Sequence, residues 1–387
     1  MEFRQPPENH QQQLTIYPVD KEDTMRFRLI AAGNGSFTLS FLLACFLALF
    51  LAACDDSGKV PEEKRQLVGL FLFSNKDPFV NVVSEALIKR LTHSVELDVQ
   101  DAENDPIRQP NQVDAFLTRH PALLLVNPVD PKNAGFFVAR AKRAGIPIIF
   151  FNREPDMEVL RSYSKSCYVG TNPADAGRMQ GNQIAQIWRQ HREYDRNRDG
   201  KCQYILFQGE PDNSAALARS EYSVRQARAR GINMSQVGAN LVCNWDQALA
   251  ERAMAAIWAE RGKEIEMIIA NNDAMALGAI AALNKYGYNL GKKGSPFIPV
   301  IGVDATDEAI KAIASGKMSA TVKQDGDAMA KAITALAENA LAGKDFLADT
   351  PYVWARDGIS VRISYSPFGE KESHAPIAKT PQPVKRP

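Results

Sequence analysis

From Gln66 onward the chain alternates between two hydrophobic patterns. Leu67-Val-Gly-Leu-Phe-Leu-Phe73 is a short run with no polar residue, the pattern of a strand covered on both faces. Similar runs recur at Val95–Val99, Ala122–Asn127, Pro147–Phe151 and Cys167–Gly170, then at Gln203–Phe207, Gln236–Cys243, Ile265–Ala270, Ile298–Val303 and Ala320–Lys323. Between them, helical spacing predicts helices at Val80–Leu91, Gln109–Arg119, Pro131–Ala144, Ala174–Gln190, Ala215–Arg230, Gln247–Arg261, Ala274–Tyr286, Asp307–Ser315 and Gly326–Leu341. Strands that alternate with helices predict parallel sheets with right-handed crossovers. The fold class is therefore α/β, with two doubly wound, Rossmann-like lobes and a crevice between them. After Pro367 the sequence turns polar and Pro-rich, and residues 367–387 are expected to form a disordered tail.

The first 53 residues follow other rules. Phe37–Ala53 contains no charged residue and is preceded by the basic Met25-Arg-Phe-Arg. A basic region, an apolar stretch and small residues describe a signal peptide, although the run also approaches the length of a membrane span. Leu51-Ala-Ala-Cys54 resembles a bacterial lipobox, in which cleavage would leave Cys54 as the lipid-bearing residue of a tether over residues 54–65. Leu42-Leu-Ala-Cys45 is a weaker match. Residues 1–24 fit no signal peptide, which marks Met25 as an alternative start. Asp55 resembles the retention signal that keeps enteric lipoproteins in the inner membrane.

Charge and composition narrow the function. The formal net charge is +1 with basic residues spread along the chain, which is not the footprint of nucleic-acid binding. None of the five His pairs at zinc-ligand spacing. Beyond the export segment only Cys167, Cys202 and Cys243 remain, and these are expected to be small buried residues. No Gly-rich phosphate loop and no nucleophile elbow occurs.

Ligands of open α/β sheets bind beyond the carboxyl ends of the strands. Polar and aromatic residues collect there: Asp77 and Phe79 after the first run, Asn152 after Phe151, Asn271-Asn-Asp273 after Ala270, and Asp304 after Val303. Singly each reads as a helix N-cap, the favoured reading for Asp273 and Asp307. Together they suit a ligand rich in hydroxyl groups. A second constellation, Asp195-Arg-Asn197-Arg-Asp199-Gly200-Lys201-Cys-Gln203, places oxygens at the spacing of a calcium loop. The twelfth position, a bidentate Glu in an EF-hand, is Leu206. The loop is then either a plain turn or a calcium site completed from elsewhere.

Long stretches resemble the periplasmic galactose/glucose-binding protein family: Val126-Asn-Pro-Val-Asp130, Phe150-Phe-Asn-Arg-Glu-Pro155, Tyr168-Val-Gly-Thr171, Gly209-Glu-Pro211, Ile269-Ala-Asn-Asn-Asp-Ala-Met275 and Gly302-Val-Asp304. The resemblance runs from Val68 to Tyr365. It implies two lobes joined by three crossings near Thr171, Gln324 and Val361. The N-terminal lobe would comprise residues 66–171 and 325–360, and the C-terminal lobe residues 172–324 and 361–366. It implies stacking of a sugar between Phe79 and Trp245, with polar contacts from Asp77, Asn152, Arg219, Asn272 and Asp304. It also implies a structural Ca²⁺ held by Asp195, Asn197, Asp199, the Lys201 carbonyl and Gln203, with Glu266 as the missing bidentate ligand.

Three departures bear on the sugar. The family's His and Asp after the Gly-Glu-Pro turn are Asn213 and Ala215, and its hinge-proximal Asn is Gln324. Asp212 stands one position before Asn213 as a candidate replacement carboxylate. The resemblance further implies a monomeric receptor that delivers a monosaccharide to an ABC permease and ATPase, with no enzymatic activity. Sensing through a chemoreceptor is the alternative. A sugar-responsive regulator would need a helix-turn-helix where the export segment stands, and a sugar-modifying enzyme would need a base or nucleophile opposed to an oxyanion site.

Overall fold

A computed structural model describes residues 65–369. The signal-peptide, tether and lipidation assignments, Cys54 included, fall outside the described residues, as does the tail beyond Gly369. Among the described residues no helix is long and apolar enough to cross a membrane.

The N-terminal lobe is a six-stranded sheet built from β1 (Leu67–Leu72), β2 (Glu96–Asp101), β3 (Leu123–Val126), β4 (Ile148–Phe151), β5 (Ser166–Gly170) and β12 (Ser360–Arg362), in the order β12-β5-β4-β3-β1-β2. Every pairing is parallel. Its helices are α1 (Pro78–Leu91), α2 (Arg108–Leu117), α3 (Ala134–Ala144), the short α4 (Met157–Arg161) and, from far along the chain, α10 (Gly326–Leu341). In β1, Val68, Leu70 and Leu72 pack into one core beneath α1 and α10, whereas Phe71 enters a second core with Val113 and Phe116 of α2. β4 divides the same way, Ile149 and Phe151 to one side, Ile148 and Phe150 to the other. Burial on both faces is why these strands read as unbroken apolar runs.

The second sheet contains β6 (Cys202–Gln208), β7 (Met234–Gln236), β8 (Leu241–Val242), β9 (Met267–Ala270), β10 (Val300–Ile301), β11 (Ala320–Lys323) and β13 (Ser366–Gly369). The order is β13-β11-β10-β9-β6-β7, with β8 also on β6 and β13 antiparallel to β11. Its helices are α5 (Pro173–Gln190), α6 (Ser214–Ala229), α7 (Gln247–Arg261), α8 (Asp273–Lys285) and α9 (Asp307–Ala314). Here too β6 and β9 distribute residues to two cores, Ile205, Phe207 and Ile268 to one, Tyr204, Leu206 and Ile269 to the other.

Four sequence expectations need correction. The single strand over Gln236–Cys243 is two, β7 and β8, because the chain turns between them at Gly238 with φ +75°, a conformation that suits glycine. The third crossing does not place Val361 in the C-terminal lobe, since Val361 pairs with Val169 of β5; the passage falls between Arg362 and Ser366. The tail does not begin at residue 367, because Pro367, Phe368 and Gly369 pair with β11. Lastly, the caps of α8 and α9 are Asn272 and Thr306, not Asp273 and Asp307. Cys167, Cys202 and Cys243 are free and buried, and burial pushes all three thiols up from their ordinary values.

Candidate functional site

The carboxyl ends of both sheets face one cleft of about 620 Å³, counting the solvent space at its open mouth. Asp77, Phe79 and Asn152 come from the N-terminal lobe. Asn213, Arg219, Trp245, Asn272 and Asp304 come from the C-terminal lobe, and Gln324 from the second crossing; all nine line the cleft. Phe79 is anchored in the core under α1. Trp245 leans on the C-terminal lobe's core, so each lobe supplies one aromatic wall.

Several of these residues also terminate helices. Asp77 accepts from the Val80 amide at 3.0 Å and caps α1. Asn272 accepts from the Met275 amide at 3.0 Å while its Nδ2 donates to the Trp245 carbonyl at 3.2 Å. Asn213 accepts from the amides of Ala215 and Ala216, which ties up its Oδ1 in capping α6. Capping fixes these side chains at strand-to-helix turns, where the fold aims them into the crevice. Asn152, Trp245 and Asp304 hold positive φ angles of 61°, 65° and 120°. Strained backbone of this kind persists where the surroundings dictate it and clusters at functional sites.

Arg219 lies at the cleft floor, 6% exposed. It donates to the Asn271 carbonyl at 2.7 Å, to Gln324 Oε1 at 2.6 Å and to the Tyr365 hydroxyl at 2.9 Å. Its Nε is buried without a protein partner, and Asp304 Oδ1 is 3.8 Å from Nη1. Tyr365 carries no sequence signal of its part here. Its hydroxyl also meets Thr171 Oγ1 at 2.7 Å and Gln324 Oε1 at 3.3 Å, so one phenol joins all three crossing segments.

The acids are held in an unusual state. Burial pushes Asp77 up, with the Val80 amide and Arg153 opposing. Burial pushes Asp304 well up, opposed by Arg219 and reinforced by Asp273 and Asp77. Behind them Asp273, fully buried, is pushed to about 7 by burial despite hydrogen bonds from Thr321 and Thr306. Carboxyl oxygens in such a setting accept from hydroxyl groups, and burial makes an acceptor left unmatched costly.

Asp212 does not replace the missing carboxylate; it is 68% exposed and pairs with Lys132 at 2.5 Å across the lobes. Arg153 and Glu210 meet at 2.5 Å with side-chain exposures of only 8% and 18%. Both sit inside the family-like stretches, next to Asn152 and Gly209. No sequence pattern shows that they touch.

The Asp195–Gln203 loop lies at the edge of β6, away from the cleft. Its oxygens turn onto its own amides: Asp195 accepts from Asp199 and Gly200, Asn197 from Asp199 and Asp199 from Lys201. Glu266, 2% exposed, joins the loop by accepting from the amides of Arg196 at 2.7 Å and Gln203 at 3.3 Å, and burial raises its carboxyl. Among the described residues no three His, Cys, Asp or Glu side chains gather as a metal cluster. The donors nevertheless suit a hard cation: Gln203 Oε1 is buried with no partner, and Glu266 is a buried acid facing the loop. Asp195, Asn197, Asp199 and the Lys201 carbonyl complete an oxygen-only set.

A cleft closed by two lobes and walled by aromatics, acids and amides defines a binding protein for a small, hydroxyl-bearing molecule. The family model of the periplasmic binding protein domain matches residues 68–345, and the chain belongs to that family. It is 33% identical over 301 residues to the D-galactose/methyl-galactoside binding periplasmic protein MglB of Haemophilus influenzae, covering 77% of this chain and 88% of that one. A putative rhizopine-binding protein of Rhizobium meliloti is 31% identical over 60% of this chain and 69% of its own. Among solved structures, an ABC transporter solute-binding protein from Bacillus halodurans with bound myo-inositol matches with a TM-score of 0.65 and 26% identity, covering 80% of this chain and 96% of that one.

Proposed function

We propose that this protein captures a monosaccharide, a galactose- or glucose-like ring, between its lobes and hands it to an ABC importer. The observation that carries the reading is the convergence of nine residues from both lobes and a crossing on one cleft, with Phe79 and Trp245 on opposite lobes. Aromatic faces suit the apolar C–H side of a pyranose, and the acids, amides and Arg219 suit its hydroxyl rim. The named ligands of the relatives, galactose and myo-inositol, are likewise hydroxyl-rich six-membered rings. Family membership makes this an exported binding protein, not an enzyme. Contacts to both lobes favour the closed form, which the permease would recognise. Asn213, Ala215 and Gln324 are the positions at which sugar preference departs from the galactose/glucose pattern.

A thermal-shift screen of monosaccharides, with and without calcium, tests the reading. Sugar at about 100 times its Kd adds about 2.7 kcal/mol to the native state, a midpoint rise of several degrees. A screen in which no monosaccharide moves the midpoint sinks the proposal. Calcium is proposed as a structural ion held by Asp195, Asn197, Asp199, the Lys201 carbonyl, Gln203 and Glu266. EDTA is then expected to lower the midpoint of the wild type and to leave Asp199→Ala, already less stable, unmoved. Equal EDTA responses in the two proteins would refute the ion.

The lipid anchor on Cys54 is also proposed, with Asp55 favouring the inner membrane, and the receptor acting as a monomer. Wild type should sediment with membranes and partition into detergent. Cys54→Ser should appear in neither fraction; equal partitioning would remove the anchor from the reading.

A further inference from the structure

We infer that the Glu210 carboxylate is a closure-dependent positioning group, which locks the lobes together through Arg153 and at the same time holds the Trp245 wall in place. The inference rests on the sugar-binding reading for its effect on affinity, and on geometry alone for its effect on closure.

The two halves of the contact are prepared separately. In the N-terminal lobe, the Arg153 guanidinium lies 3.7 Å from the Phe73 ring centroid and donates to the Val129 carbonyl at 2.7 Å. In the C-terminal lobe, Glu210 accepts a hydrogen bond from the Trp245 indole N–H. The indole lies so close over Gly209 that a β-carbon there would stand 2.2 Å from it, so only glycine admits the ring at this depth. Closing the lobes then adds one bond, Arg153 to Glu210 at 2.5 Å, between partners 57 residues apart. Side-chain exposures of 8% and 18% distinguish it from the neighbouring Lys132–Asp212 pair, exposed at 70% and 68%. Exposed pairs contribute little. A shielded, hydrogen-bonded charge pair between preformed partners couples strongly, because removing one partner strands the other. Opening the cleft returns both groups to water, so the contact favours the closed form specifically.

The test uses the full chain and two readouts. Single-molecule energy transfer between labels at Val82→Cys on α1 and Leu217→Cys on α6, both about half exposed, reports the closed fraction without any ligand. Glu210→Gln and Arg153→Met should each lower the ratio of closed to open molecules about tenfold, and the double variant no further, as for residues sharing one interaction. Calorimetric titration with the best sugar of the screen should show about tenfold weaker binding for Glu210→Gln, with part of the loss recovered in Glu210→Asp. In a Trp245→Phe background, which lacks the indole N–H, the same change should weaken binding less than in the wild type. Unchanged closed fractions overturn the lock whatever the sugars do. Equal losses in the wild-type and Trp245→Phe backgrounds overturn the link to the aromatic wall. A screen without a sugar response overturns the functional reading alone, because the closed fraction is read without ligand.

Discussion

Replacing Arg219 with Met is expected to weaken monosaccharide binding at least about 100-fold and to lower the stability of the ligand-free protein by about 3 kcal/mol, the range for removing one member of a buried charged network. The side chain is 6% exposed and serves three acceptors: the Asn271 carbonyl, Gln324 Oε1 and the Tyr365 hydroxyl. Methionine fills similar space and supplies none of these bonds. Each buried acceptor left without a donor costs about 1–3 kcal/mol, although Tyr365 can turn to Thr171, which limits the sum. Binding suffers further because Nε is a buried donor in the cleft that protein atoms leave unmatched, and because Asp304 loses its nearby cation. Urea unfolding without sugar and calorimetric titration with it measure the two effects separately. Reduced stability with unaltered affinity would show that Arg219 braces the crossings without touching the ligand.

For Asp304→Asn the two measurements should move in opposite directions. Sugar binding should weaken about 10- to 100-fold, since hydrogen bonds to a charged group are worth about 1.5–3 kcal/mol. The ligand-free protein should become more stable at alkaline pH. The sign follows from burial, which raises the Asp304 carboxyl well above its ordinary 3.8. An acid whose pKa is raised by folding binds its proton more tightly in the native state. Its contribution to stability is complete below the unfolded value and is lost as pH climbs through the folded one. Asp273 acts in the same sense, and its loss is complete once pH passes well beyond about 7. The decline of stability with rising pH is therefore expected to be flatter in Asp304→Asn than in the wild type. Every pH unit by which folding raises a carboxyl is worth about 1.4 kcal/mol, and the substitution removes that dependence at residue 304. Identical slopes for the two proteins in urea unfolding from pH 5 to pH 9 would count against a buried, ionising Asp304.

Much of this site is legible in the sequence because function and folding use the same positions. Asp77, Asn272 and Asn213 stand where strands give way to helices, and a polar residue there announces itself both as a cap and as part of the crevice. Long apolar runs betray strands such as β4 and β9 because both faces are covered. The obscured features depend on distance along the chain or on backbone angle. Nothing local distinguishes Glu210 from an exposed turn residue until Arg153 arrives from the opposite lobe. Tyr365 reads as one more aromatic near the end, yet folding brings it to Thr171, 194 positions earlier. The three-residue β12 and four-residue β13 are too short for periodicity to show, which is why the sequence puts the last crossing too early.

The core beneath α1 contains Met329, Ile333, Leu336 and Val361 alongside Val68 and Leu70. Synthesis at the ribosome therefore delivers the two halves of that core nearly 300 positions apart. The first lobe to be translated must wait for the final segment before it can consolidate, whereas domains made of contiguous sequence settle as they emerge. For a polypeptide destined to thread through a translocation pore, that delay is useful: the N-terminal lobe cannot consolidate until its last helix and strand have been made.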